Sequence, residues 1–286
     1  MPTLIAGDSR LDLSPERGGS VLRFDWRGMP IFRPATGPGI LDVASFPLVP
    51  FSNRVALGRF MAAGREVVLA PNFPGTDHPH PLHGFGWLAQ WDVIALDERH
   101  AVLEHRYAGG EWPWPYVAEQ RLDLYDDGLE MSLSVINLGH DPMPAGLGFH
   151  PYFPRQADTL YHGLHRGEWR NDPTGLPLAQ EISPTPQDWW HGSPVGCRAV
   201  DTLYTNRHGG LRIEWPSRRL ALKIAPSATL PHTVVYSPAG MDYFCVEPVS
   251  HMTNAVNMDD GTETGLRYIS PGEVFMGSVE LKVEQL

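Results

Sequence analysis

The sequence predicts an all-β protein, a single large antiparallel β-sandwich spanning residues 1–286. Three observations predict it. Short stretches of alternating apolar and polar residues recur from one end of the chain to the other. Turn residues separate them: glycine (29) and proline (28) make up about a fifth of the 286 residues, against roughly an eighth in average usage, and are spread along the chain. No amphipathic run of roughly 12 or more residues and no β–α–β alternation interrupts the series. Many short strands punctuated in this way suit a sandwich, and sandwiches of about 200–250 residues fold as one unit.

The elements follow in chain order. Residues 20–34 read as two short strands folded at Gly28, and residues 65–70 as another strand after a turn at Gly64. Trp91–Asp97, Ala101–Tyr107 and Tyr116–Tyr125 alternate as strands do. Arg121–Tyr125 and the run from Leu129 form the clearest hairpin, with Asp126-Asp127-Gly128 between them; Asp-Gly is expected to supply the positive φ angles of a tight turn. Residues 170–200, rich in Pro, Gly, Asp and Trp without a period, read as a long surface excursion. Val279–Glu284 alternates cleanly and suggests a half-buried strand with one charged, wet face.

Composition narrows the function. With 22 Lys+Arg against 33 Asp+Glu the net charge is −11, and no basic run offsets it, so nucleic acid is not an expected partner. Cys197 and Cys245 are too few for a disulfide framework and their spacing fits no metal motif. The first residues lack a basic segment followed by an apolar one, and no apolar run approaches a membrane span. The expectation is a soluble cytoplasmic protein with reduced thiols and no membrane contact.

Three stretches carry candidate chemistry. In Leu147-Gly148-Phe149-His150-Pro151-Tyr152-Phe153, alternation puts Gly146, Gly148 and His150 on one face. Glycine in a strand often marks close approach of a ligand or another backbone, so the imidazole is expected beside open room. A strand-capping histidine held by a carbonyl is the alternative. In Tyr243-Phe244-Cys245-Val246-Glu247-Pro248, Tyr243, Cys245 and Glu247 share a face. A carboxylate closing an apolar strand is costly unless paired, functional or solvated.

The third stretch, His78-Pro79-His80-Pro81-Leu82-His83-Gly84, is dense in histidine. A zinc site is one reading, but no fourth ligand stands at a recognisable distance. The other makes His83 a neutral hydrogen-bonding group at a polar ligand. Phe85, Trp87, Trp112 and Trp114 offer flat surface for a sugar ring or, equally, core packing. Asn53-Arg54 begins a loop from which an arginine can fork two hydrogen bonds toward a ligand oxygen, or pair with a surface carboxylate. Asp201 is a second acidic candidate, with a turn aspartate as its alternative.

Taken in order, Asn53-Arg54, His83-Gly84, His150-x-Tyr152-Phe153 and Glu247 followed by Ser250-His251 and Asn254 resemble the aldose 1-epimerase (galactose mutarotase-like) family over roughly residues 20–280. The resemblance implies a large β-sandwich that interconverts the α and β anomers of a free monosaccharide without metal or organic cofactor. It implies Glu247 as general base and His150 as general acid, on opposite sides of one sugar ring. Arg54, His83 and Asp201 would hold the sugar, with Asn53 and Tyr152 beside them. The proline after His150 and the shorter chain resemble a divergent bacterial-type branch whose sugar preference varies. A mutarotase for a phospho- or sulfo-sugar, which would need Arg54, Arg59 and Arg155 to converge, is an alternative. So are a non-catalytic carbohydrate-binding protein and a metal hydrolase or isomerase built on His78, His80 and His83.

Overall fold

Alternation with period two becomes a hydrogen-bonded ladder in the computed structural model, which describes residues 1–258 and 263–286. Fifteen strands form one continuous sheet, and every pair in it is antiparallel. One half runs Asp92–Leu96, His100–Tyr107, Tyr116–Tyr125, Gly128–Asn137, Val274–Gln285, Leu220–Pro226 and Leu211–Trp215. The other runs Val200–Thr205, His232–Ser237, Tyr243–Val249, Gly148–Phe149 and Pro47–Leu48, with Tyr152–Pro154 also against Tyr243–Val249. The strand Leu160–Asn171 joins the halves. Its first residues pair with Leu211–Trp215, whereas Gly167 and Glu168 pair with Thr205 and Tyr204. A strand that changes partners in mid-course turns the corner between two layers.

Inward residues of both halves meet in one core. Leu122, Met131 and Leu281 from the first half pack in the same cluster as Val235, Phe244 and Val246 from the second. Trp87, Trp91, Trp112, Trp114 and Trp215 are sealed from solvent, each contributing a large apolar surface to burial. A four-stranded sheet (Thr3–Ala6, Ser9–Ser14, Ser20–Trp26, Met29–Pro30) accompanies the large one. Among the described residues no helix is long and apolar enough to cross a membrane.

Several expectations are corrected. The second arm after Gly28 is only Met29–Pro30, because the N–H groups of Ile31 and Phe32 both bond back to the Phe24 carbonyl. In the hairpin, Tyr125 pairs with Gly128, leaving Asp126 and Asp127 as the turn; neither they nor Gly128 has a positive φ. Gly128 is glycine for another reason: a Cβ there would stand 2.2 Å from the Leu281 carbonyl oxygen of the neighbouring strand. The supposed surface excursion contains the strand Pro177–Asp188, paired with Leu160–Asn171. It buries neither face fully and ends its sheet, so no alternation marks it, and an edge accommodates Pro177, Pro184 and Pro186.

Candidate active site

The strand Tyr243–Val249 directs Phe244 and Val246 into the main core and Tyr243, Cys245 and Glu247 to its other face. Register carries that face across the sheet. Val234 lies opposite Glu247, Tyr236 opposite Cys245, Leu203 opposite Val234, and Asp201 opposite Tyr236; on the other side Tyr152 lies opposite Cys245. Directly opposed side chains share a face. Four strands therefore build one floor, which carries its own apolar cluster with Phe46, Leu82, Leu203, Val234 and Cys245.

Over this floor lies a cavity of about 180 Å³. Asn53, Arg54, His83, His150, Tyr152, Asp201 and Glu247 all line it, so the expected acid and base and the five expected sugar-holding residues are brought to one place. The volume is below the roughly 300–1,000 Å³ typical of drug-sized ligand pockets, and suits one small molecule.

His150 and Glu247 are both buried, with Nε2 3.3 Å from Oε1. Burial penalises both charges. It lowers the imidazole from its usual range to about 3, helped by the Arg33 charge. It raises the Glu247 carboxyl well above the usual carboxylate range, aided by Asp201 and opposed by Arg54. The pair lies side by side, with no space for a ring between its members, contrary to the expectation of opposite sides. His150 is held by its N–H to the Phe46 carbonyl, and its ring stacks on Phe46 at 4.5 Å and against Tyr152 at 4.8 Å.

The room expected at Gly146 and Gly148 is filled by the chain itself. A Cβ on Gly146 would stand 1.9 Å from the His251 ring, and one on Gly148 would meet Val249 and Pro248. His251 accepts the Ser52 N–H on Nε2 and, carrying its proton on Nδ1, donates to the Met252 carbonyl. Ser250 Oγ accepts the Leu147 N–H, and Asn254 Oδ1 accepts the Ala56 N–H. His251 and Asn254 hold the 51–56 loop in place, Ser250 holds the chain at Leu147, and none of the three lines the cavity.

That loop positions polar side chains at the cavity. Asn53 and His83 both have left-handed backbone (φ 58 and 60) and bond reciprocally, Asn53 N–H to His83 Nδ1 and His83 N–H to the Asn53 carbonyl, each at 3.0 Å. With Nδ1 accepting, the proton of the neutral ring is on Nε2. Burial holds the ring neutral, its basicity lowered well below the usual range, with His150 and Arg54 adding to the effect. Asn53 Oδ1 accepts from the Arg54 N–H and from Nη1, so it orients Arg54, whose Nη2 meets Asp201 Oδ2 at 3.2 Å. Asp201 is in the strand Val200–Thr205, not in a turn.

His78 and His80 do not converge with His83 on a common point. His80 Nδ1 accepts the Leu57 N–H, and both Nε2 atoms lie against Thr174. Among the described residues, the group close enough to share an ion is His150, Cys245 and Glu247. Trp87, Trp112 and Trp114 are core residues, and Phe85 packs against the core; the aromatic walls are instead Phe46, Phe73, Tyr152, Tyr236 and Tyr243. Arg33 was also missed. Its guanidinium lies 4.3 Å and 4.6 Å from the ring centroids of Tyr152 and Tyr243, and it donates to the Leu41 and Val43 carbonyls. Only Tyr243 had a readable signal, its alternation with Glu247.

The fold and this cavity define a mutarotase-like β-sandwich. The chain belongs to the aldose 1-epimerase family, whose model matches residues 14–282. It is 33% identical over 299 residues, 99% of each chain, to the uncharacterized protein YphB of Escherichia coli K12. Among solved structures it is similar to an Escherichia coli K12 protein provisionally described as an aldose 1-epimerase (30% identity, 100% and 99% coverage, TM-score 0.90). A galactose mutarotase-like protein from Clostridium acetobutylicum shares the fold at 20% identity, with 99% and 95% coverage and TM-score 0.86.

Proposed function

We propose that the protein is an aldose 1-epimerase that exchanges the α and β anomers of a neutral free aldose. The observation that carries this reading is the buried His150–Glu247 pair, 3.3 Å apart on the floor of a monosaccharide-sized cavity. Ring opening moves a proton off the C1 hydroxyl and puts one on the ring oxygen. Both oxygens are bonded to C1, so the group that takes a proton and the group that gives one belong side by side. Burial disfavours two charges, so the resting pair shares one proton, held on Glu247; its passage to His150 Nε2 across 3.3 Å makes His150 the donor and Glu247 the acceptor for ring opening.

Glu247 takes the C1 hydroxyl proton while His150 Nε2–H protonates the ring oxygen and the C1–ring oxygen bond breaks. The proton is now on Glu247 and the imidazole is neutral. C1, an aldehyde, rotates about its bond to C2. For closure His150 takes back the proton of the released hydroxyl, Glu247 returns its own to the carbonyl oxygen, and the opposite anomer forms. Arg54, Asp201 and His83 hold the remaining sugar oxygens.

The charge balance of the cavity favours a neutral sugar. Among the described residues Arg54 is the arginine or lysine that lines it, and Asp201 already pairs with it. Arg59 pairs with Glu66, while Arg155 donates to Ser237 Oγ and to the Pro238 and Met241 carbonyls; neither lines the cavity. Among the described residues lining the cavity, a phosphate or sulfate would meet no spare cation.

The test is polarimetry on a panel of freshly dissolved aldoses and their 6-phosphates. Glu247→Gln and His150→Ala should each lower the catalysed rate by roughly 10²–10⁴-fold with the fold intact by circular dichroism. A near-wild-type rate in either variant removes that residue from the mechanism. Sugar binding without faster anomer exchange in the wild type identifies a carbohydrate-binding protein instead, and faster exchange of the phosphates overturns the neutral assignment.

A further inference from the structure

His78 and His80 are left without a part in the proton transfers, yet their hydrogen bonds point one way. The hairpin of Leu160–Asn171 and Pro177–Asp188 ends in a tip, residues 172–176, in which Asp172 Oδ1 accepts from the Thr174 N–H, the Thr174 hydroxyl and the Leu176 N–H. Gly175 of this tip (φ 85) lies against Arg54 so closely that an added Cβ would stand 2.6 Å from Cζ. Asn171, where the tip begins, donates from Nδ2 to the Asp201 carbonyl at 2.7 Å. One hairpin end therefore touches both members of the Arg54–Asp201 pair. Arg54 Nε is buried with no hydrogen-bond partner among the described residues, so packing by Gly175 helps to set the plane of the guanidinium.

The two histidines tie down this tip. His80 Nδ1 accepts the Leu57 N–H at 3.0 Å, so its proton is on Nε2, which donates to Thr174 Oγ1 at 3.1 Å. His78 Nδ1 accepts the His80 N–H at 3.3 Å, and Nε2–H donates to the Thr174 carbonyl at 3.2 Å. At His80 the accepting Nδ1 carries no proton, so the ring bonds the Leu57 N–H and Thr174 together only when neutral.

We propose that His78 and His80 are positioning residues that latch the hairpin tip 172–176 over Arg54, so that the Arg54–Asp201 pair keeps the orientation in which it holds the sugar. The proposal rests on the reading of the cavity as an aldose site. Protonating His80 turns its accepting Nδ1 into a donor facing the Leu57 N–H, which drives the ring off its anchor, so acid loosens the latch. The charged and titratable groups facing His80 are His78, Arg54 from the 53–57 loop and Asp172 from the tip.

Mutarotation kinetics and hydrogen exchange of the tip amides test this together. The His78→Ala/His80→Ala double variant should raise KM about tenfold, the effect of one neutral hydrogen bond, with kcat nearly unchanged. His78→Gln/His80→Gln, which keeps a donor at the reach of Nε2, should restore most of it. In the wild type, KM should rise as pH falls below about 6.5, because burial lowers His80 from the usual histidine range, and the glutamine variant should lack that rise. Thr174→Val, which leaves both histidines in place, should raise KM in the same sense. Tip amides should exchange faster in the alanine variant and in the wild type at low pH. An unchanged KM in an active alanine variant, or unchanged tip exchange, overturns the latch. If the wild type accelerates no aldose, the catalytic reading fails, and exchange at the tip still decides the latch without substrate.

Discussion

Glu247 is a group whose function opposes its stability. A buried carboxyl holds its proton well past the usual range, and this has a definite sign. The unfolded chain ionises Glu247 from about pH 4.5 upward, whereas the folded chain does so only at higher pH. Stability is therefore lost as pH rises through that interval. Glutamine has the shape of the protonated side chain and no such loss. Glu247→Gln should raise the thermal midpoint relative to wild type, and the gap should be wider at about pH 8 than at about pH 5, growing by roughly 1 kcal/mol per pH unit while the folded side chain stays protonated. Equal midpoints at both values would mean that the carboxylate is ionised in the folded state. Residues such as Glu247 were legible because a charge closing an apolar strand is anomalous in sequence. Phe46 and Arg33 were not, because an aromatic in an apolar run and an arginine beside a proline look like any others. Gly146 was legible only by half. Its lack of a side chain announced close approach, but nothing local said that the visitor would be His251 and not a ligand.

At the level of elements, legibility followed burial. Tyr116–Tyr125, Gly128–Asn137 and Val274–Gln285 each bury one face and alternate accordingly. Pro177–Asp188 is held by ladder hydrogen bonds with both faces largely in water, so its hydrophobic pattern is blank. The hairpin at Asp126-Asp127 separates two roles of glycine that sequence cannot tell apart. Gly128 has ordinary backbone, so no positive φ requires it; what excludes a side chain is the Leu281 carbonyl across the strand pair. Gly128→Ala should accordingly lower stability by about 1–3 kcal/mol, as overpacking does, by forcing Gly128–Asn137 and Val274–Gln285 apart. Ile182→Ser, at a position 66% exposed on the edge strand, should stay within about 0.5 kcal/mol. Urea denaturation of both variants checks the pair, and a neutral Gly128→Ala would show that the strand pair yields without strain.

The whole molecule responds to acid through an unusual store of buried imidazoles. His83, His150, His165, His232 and His251 are all buried. Burial is the first cause of a lowered pKa in each, to about 3 for His150 and His165 and about 4 for His232 and His251. An unfolded histidine takes a proton near pH 6.5, so from there down to about pH 4 the unfolded chain binds more protons than the folded one, and folding weakens. Glu247, protonated only in the folded state over the upper part of this interval, offsets one of the five. The remaining excess is worth several kcal/mol per pH unit near pH 5, a large share of the roughly 5–15 kcal/mol that holds a typical protein folded. Overall charge argues the other way. A net charge of −11 at pH 7 shrinks toward zero at the isoelectric point near 5.6, relieving self-repulsion, and by that effect alone the fold would be firmest there. Repulsion among dispersed surface charges is screened by salt, whereas a buried imidazole is not, so the histidines should dominate. Urea midpoints measured in about 0.15 M salt should be clearly lower at pH 5.6 than at pH 7.5 and fall further toward pH 4.5. A maximum at the isoelectric point would mean that these rings are hydrated, and protonated, in the folded protein.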